Sequence, residues 1–186
     1  MPGVSERNRD WPGRGESKMS SRQSETLTTA DFFTSSHRIR AQVQTGPRPL
    51  SDLLNDRSQS YLLVFNVRLS ALDMVGESRT RGPEAYVSKE NLSFVLVSSR
   101  EARAPERGRY AVLERQVLVT LPGFEVRGKF LGPLRSDLWN FSPATLDPFV
   151  VLTEATAVRT NVPDETYSGD VALVNRAQVE SFCLLE

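Results

Sequence analysis

The sequence predicts a mainly β protein with short helices, in which two small, partly closed β-barrel-like modules stand in tandem and pack as a pseudo-symmetric pair. Three observations predict it. The tract Ser51-Asp52-Leu53-Leu54-Asn55 returns as Ser136-Asp137-Leu138-Trp139-Asn140, so one structural unit occurs twice. The flanks recur as well: Arg38 to Val43 aligns with Glu125 to Phe130, Tyr61 to Phe65 with Phe149 to Thr153, and Val87-Ser88-Lys89 with Val174-Asn175-Arg176. These tracts keep the apolar alternation of half-buried strands. Each copy spans about 65 to 75 residues, a size at which a lone domain removes too little surface from water, so the copies are expected to cover one another.

Residues 1–28 are rich in Ser, Arg, Glu and Gly and poor in apolar side chains; such a stretch cannot offset its ordering entropy and reads as a disordered tail. Met19 offers a second plausible start. The first module, 29–98, opens near Thr29 with Asp31-Phe32-Phe33, continues through a strand from Arg38 to Gln44, and turns at Gly46-Pro47. Ser51 then reads as the N-cap of a short helix with Asp52 favoured by the helix dipole, and Asn55 to Ser58 as its exit. Tyr61 to Leu69 is the next strand, since its β-branched and aromatic content suits a pleated surface. Ser70 to Pro83 reads as a long polar connection. Ala85 to Ser88 and Leu92 to Val97 read as a hairpin about Lys89-Glu90-Asn91.

Residues 99–108 carry charge and breakers without periodicity and serve as the linker. The second module, 109–186, repeats the order: strand Tyr110 to Leu121, turn Pro122-Gly123, strand Phe124 to Phe130, turn Gly132-Pro133, and a second capped helix at Ser136 to Asn140. Strand Phe149 to Val158, a polar loop Asn161 to Gly169 and strands within Val171 to Glu186 complete it. Leu53 and Leu138 take matching buried positions on the two helices.

Lys plus Arg and Asp plus Glu number 23 each, so no basic excess draws the chain to nucleic acid or anionic lipid. Residues 1–28, 29–104 and 105–186 carry net +1, +2 and −3 (5 basic and 4 acidic, 10 and 8, 8 and 11), the uneven spread of solvated surface charge. The single cysteine, Cys183, forms no internal disulfide and suits a reducing compartment. The amino-terminal residues lack an apolar signal region, and no apolar run reaches the roughly 18 residues of a membrane span. A cytoplasmic protein without membrane insertion is expected.

Chemistry built into a duplicated module should itself be duplicated, and few candidates pass that test. His37, the only histidine, aligns with Phe124 and reads as a strand-end residue. Cys183 aligns near Leu96, implying apolar surroundings rather than an activated thiolate. Ser51 and Ser136 have no base to activate them, and Gly46-Pro47 and Gly132-Pro133 are not phosphate loops. There is no Cys/His cluster for zinc, and Asp164, Glu165 and Asp170 lack the spacing of a calcium loop. No cofactor, no metal and no catalytic residue is expected. Arg40 and Arg127 recur on the strand before each helix, and Lys89 and Arg176 recur after each later strand; these four are the candidate partner-binding residues. The plainer reading of Arg40 and Arg127 is an edge-strand arginine paired across the sheet. Tyr61, Phe65 and Phe94 read as core aromatics, not as a stacking platform for nucleic acid.

The sequence Ile39-Arg40 or Val126-Arg127, then Leu50 to Asn55, then an apolar strand such as Phe149 to Ala155, resembles an uncharacterised bacterial small β-domain found singly or in tandem. The likeness covers residues 30–186 and implies no activity. The element order is also loosely similar to small barrels of the Sm type, although the helix here follows a strand instead of preceding all of them. The leading functional expectation is a non-enzymatic binding, adaptor or regulatory protein that presents strand edges or loops to a protein partner or to itself. The alternative is a small-barrel, Sm-like nucleic-acid or nucleotide binder.

Overall fold

The structure, a computed structural model, describes residues 26–73, 79–98, 112–133 and 147–186. The expected linker and the second Ser-Asp-Leu-Trp-Asn tract, with Leu138, lie outside these residues. In chain order the elements are β1 (Leu27–Phe33), β2 (His37–Gln44), α1 (Leu50–Asn55), β3 (Tyr61–Ala71), β4 (Arg79–Ser88) and β5 (Phe94–Val97). There follow β6 (Val112–Leu121), β7 (Phe124–Pro133), β8 (Phe149–Arg159), β9 (Val162–Asn175), one 3₁₀ turn (Arg176–Gln178) and β10 (Ser181–Leu184). The fold is mainly β. All ten strands belong to one open sheet of order β10-β6-β7-β8-β9-β5-β1-β2-β3-β4, and its neighbours are antiparallel throughout.

The order fifth, first, second, third, fourth therefore holds for β1–β5 and again for β6–β10. Local irregularities follow the same plan. The β2–β3 ladder shifts register between Arg40 and Gln42, and the β7–β8 ladder between Arg127 and Lys129. Asn66 on β3 and Glu154 on β8 carry positive φ, 53° and 51°, an unusual conformation for residues with a Cβ. In each case the side chain is tied across the bulge, Asn66 to Gln42 and Glu154 to Lys129. A bulge adds local twist and bend.

Two apolar cores result. The first gathers Phe32, Val43, Leu50, Leu54, Val64 and Val95, with Phe149 and Leu173 contributed by β8 and β9. The second gathers Val119, Phe124, Val126 and Leu152, with Phe33, Leu72, Phe94 and Leu96 contributed from the amino-terminal half. Because side chains alternate along a strand, the central strands serve both: Val95 and Val97 of β5 enter the first core, Phe94 and Leu96 the second. β9 does likewise with Val171 and Leu173 against Ala172 and Val174.

Several expectations change. β1 begins at Leu27, with Thr28 buried, so the structured chain reaches into the stretch read as a tail. Within the expected connection from Ser70 to Pro83 the last residues are strand: Arg79 to Gly82 pair with Ser70 to Val67, because a long neighbouring strand satisfies their backbone groups whatever their polarity. The same reason turns most of the expected loop Asn161 to Gly169 into β9, and Gly132-Pro133 ends β7 opposite Leu113 and Val112 instead of making a turn. β4 and β5 are consecutive but do not form a hairpin. β4 pairs with β3, while β5 crosses to pair with β1 and β9.

Ser51 does not cap α1. The helix starts at Leu50, its N-cap is Pro49, and no side chain caps it; the Ser51 hydroxyl, buried, faces Asp52 at 3.4 Å. Leu50 and Leu54 share one face and are both 1% exposed. Burying a leucine contributes about 1.5–3 kcal/mol against roughly 0.5–2 kcal/mol for a cap, so the first turn winds to place Leu50. Leu53, expected in the core, is half-buried at its margin. Leu54→Ala should therefore cost about 2–5 kcal/mol in a urea unfolding titration, and Leu53→Ala clearly less; equal losses would contradict this placement of the helix.

Candidate functional site

The four duplicated basic residues occupy different environments. Arg40 projects from β2, over half exposed, with Asp31 of β1 opposite it in register and 4.0 Å away. Arg38 holds the same carboxylate through Nε at 3.0 Å and Nη2 at 3.1 Å and lies over the Tyr167 ring. Arg127 is exposed on β7, opposite Leu118 and Thr156. Neither strand is at an edge, so the edge-strand placement expected for these arginines is not observed. The structure does not bring the pair together: β8, β9, β5 and β1 separate their strands.

Lys89 is buried, and its Nζ donates to the carbonyls of Leu53 and Asp56 at the end of α1. A cation meets the open carbonyls and negative dipole end of the helix there. Burial, only partly offset by Asp56, holds its ammonium below the ordinary 10.5. Arg176 is half-buried in the 3₁₀ turn.

Other polar groups join the two halves of the sheet. Asn55 behaves like an added backbone unit: its Oδ1 accepts the Phe149 N–H at 2.8 Å, and its Nδ2 faces the Phe149 carbonyl at 3.5 Å. Asn175, buried, donates to the Leu92 carbonyl at 2.8 Å and the Lys89 carbonyl at 3.3 Å. Arg159 on β8 reaches the Leu72 carbonyl, Glu165 at 3.1 Å and Asp73 at 3.4 Å. Asn55 and Asn175 stood in repeated tracts without a bridging role being read from them, and Arg159 carries no local pattern. A polar cleft of about 470 Å³ lies where the β1–β2 turn, the β4–β5 turn and the 3₁₀ turn meet, lined by Thr34, Ser35, Ser36, Asn91, Ser93 and Gln178. It offers hydroxyls and amides but no charged side chain.

His37 opens β2 as expected, its Nδ1 2.8 Å from the Ser36 hydroxyl. Cys183 is exposed on β10, in contrast to the apolar surroundings inferred for it; among the described strands β10 pairs with β6 alone. Tyr61, read as core, is also exposed, whereas Phe94 is fully buried and Phe65 half-buried. No group of His, Cys, Asp or Glu among the described residues could hold a metal ion, and no described helix is long and apolar enough to cross a membrane.

Among the described residues β4 and β10 are the end strands of the sheet, and much of the exposed apolar surface lies beside them. Of the six large apolar side chains exposed among the described residues, Tyr61 and Tyr86 lie at the β4 end and Leu184 and Leu185 at the β10 end. An edge strand also presents unpaired N–H and C=O groups. Pro83 sits on β4, where a missing N–H costs no bond within the sheet.

No family model, no curated protein and no solved structure matches this chain.

Replacing Lys89 by Met, which keeps the stem and removes the donors, should lower stability by about 1–3 kcal/mol at neutral pH, the cost of leaving buried carbonyls unpaired. Between the lowered folded value and 10.5 the unfolded chain holds the Lys89 proton more tightly than the folded one, so this group's contribution to stability rises as pH climbs through that window. Urea titrations of both proteins from neutral to alkaline pH check it; the difference between them should widen with pH.

Proposed function

We propose that this chain is a tandem of two five-stranded, partly curled β modules packed as a pseudo-symmetric pair, and that it works as a non-enzymatic binding or adaptor protein. Its binding elements are strand edges, β4 foremost, offered to a protein partner by β-augmentation, in which main-chain hydrogen bonds supply affinity and alternate side chains supply selectivity. The recurrence of one strand order, with matching bulges at Asn66 and Glu154, supports the tandem reading. The observation that carries the functional reading is the exposure of Tyr86, at 71%, on an edge strand whose other ladder positions are ready to pair. Exposed tyrosine is common in contact surfaces because it combines apolar area with a polar tip.

Arg40 and Arg127 keep the exposure that a contact role needs and fit as flanking charges. Arg176 is half-buried, and Lys89 is committed to α1. Full-length protein and its Tyr86→Lys variant, used as paired baits, should differ: a protein partner retained by the first should be lost from the second, while both unfold at the same urea concentration. Equal retention would remove the edge reading.

Nucleic acid is not the expected ligand, because several phosphate contacts are needed for tight binding and the duplicated arginines stand on separate parts of the sheet. Titration with labelled single- and double-stranded oligonucleotides at two salt concentrations should give no binding tighter than about 10⁻⁴ to 10⁻⁶ M at physiological salt. Submicromolar, salt-sensitive binding lost in an Arg40→Ala, Arg127→Ala double variant would replace the adaptor reading with the small-barrel one.

A further inference from the structure

We infer that the outer face of β2, β3 and β4 is a docking surface for an acidic segment of a protein partner, whose carboxylates are taken by a row of arginines, Arg40, Arg68 and Arg81. The inference rests on the adaptor reading and names the chemistry of its partner. Arg40 of β2 is in register with Arg68 of β3, and Arg68 with Arg81 of β4. Directly paired residues share a face of the sheet. Ile39, Ala41 and Val67 beside them face the first core, so the arginines face away from it. All are exposed, Arg40 with 56% of its side chain open. Neighbouring strands lie about 4.8 Å apart, so the row crosses these strands within about 10 Å.

The sheet itself does not require arginine in this row. Like charges directly opposite on adjacent strands repel and destabilise the pairing. The carboxylate at the end of the row, Asp31 in register with Arg40, is already held by Arg38. The other half of the sheet supplies a control. Counted from the matching bulges, Arg127 on β7 stands where Arg40 stands, and its row continues through Thr156 and Ser168. Small neutral side chains thus satisfy the same ladder positions, and the charges of Arg68 and Arg81 serve something other than strand pairing.

The neighbours of the row select the occupant. Beyond the Asn66 bulge the same face carries Phe65 and Leu63, half-buried, which alternate with Val64 and Leu62 of the first core. Tyr86, in register with Leu63, extends this apolar stretch onto β4. Guanidinium groups pair with carboxylates in a bidentate manner, and the apolar stretch beside them offers contact area that a bare anion would leave unused. A nucleic-acid backbone fits less well. Asp31 ends the row on one side, and Glu84, exposed and in register with Phe65, stands beside it on another. A chain charged at every unit would meet these carboxylates on leaving the arginines. A short acidic run joined to apolar residues meets both parts of the face.

The probe is a fluorescein-labelled peptide with a run of glutamates followed by a short valine and tyrosine stretch. Its anisotropy, titrated with the full chain, should show saturable binding that weakens as salt rises, and the same peptide with glutamine for glutamate should not bind. Arg68→Gln should weaken binding about tenfold, the loss of one charge-assisted contact. Arg48→Gln, which removes the same charge from the turn before α1, should leave the affinity unchanged. Arg68→Thr combined with Arg81→Ser, the side chains that the other half carries in its row, should abolish binding. The urea midpoint of that variant should equal or exceed that of the unmodified chain, because a repulsion is removed; a lower midpoint would assign the arginines to the fold and overturn the inference. Absence of binding, or equal loss in Arg48→Gln, would overturn it too. If the peptide fails but Tyr86→Lys still abolishes retention of a protein partner, the adaptor reading survives alone. Submicromolar binding of a labelled single-stranded oligonucleotide, lost in the Arg68→Thr, Arg81→Ser variant, would give the row to nucleic acid and reject both.

Discussion

The structure depends on one antiparallel pair buried on both faces. β5 has only four residues, all buried, and lies between β1 and β9. Phe94 and Leu96 fill one core and Val95 and Val97 the other, so neither face of β5 is left to water. At about 1.5–3 kcal/mol for each fully buried large apolar side chain, this strand contributes far more than its length suggests. Aromatic rings reinforce it: Phe33 stacks on Phe94 at 4.4 Å, and Phe124 from β7 meets both rings edge-on. The second core thus contains side chains from both halves of the chain, and removing either half would open it.

Polar groups finish what the apolar contacts begin. At this junction buried backbone groups would go unpaired wherever strands start or stop, at about 1–3 kcal/mol each. Asn55 and Asn175 supply amide groups in place of backbone partners, and Arg159 takes the Leu72 carbonyl that the chain leaves after β3. Lys89 does the same for α1, a helix too short to persist alone. A basic residue in a tract read as repeated thus became a structural support once the tertiary fold placed α1 beside it.

The proposed function follows from how the sheet ends instead of from a pocket. Bulges at Asn66 and Glu154 bend the sheet locally, and the ten described strands end in β4 and β10. Natural edges are usually blunted by charge, proline or covering structure. Here Pro83 and Glu84 lie within β4, while Tyr86 near them is left open to solvent. That combination limits pairing to a short span, which favours a defined partner over indiscriminate aggregation.

Alternation in the sequence was sufficient to determine the mainly β character, most strand cores and the turns at Gly46 and Gly123. These are local properties, carried by side-chain period and by backbone conformations that few residues adopt. Tertiary structure alone decided that Arg79 to Gly82 and Val162 to Gly169 become strand, that β5 leaves β4 for β1 and β9, that Leu50 overrides Ser51 at the start of α1, and that Lys89 is buried while Tyr61 is not. The edges were equally illegible, because a strand's sequence records which of its faces is apolar but not whether another strand lies beside it. Hydrogen bonds between strands use the backbone, which every residue shares, so the sheet order is set by which arrangement closes both cores at once.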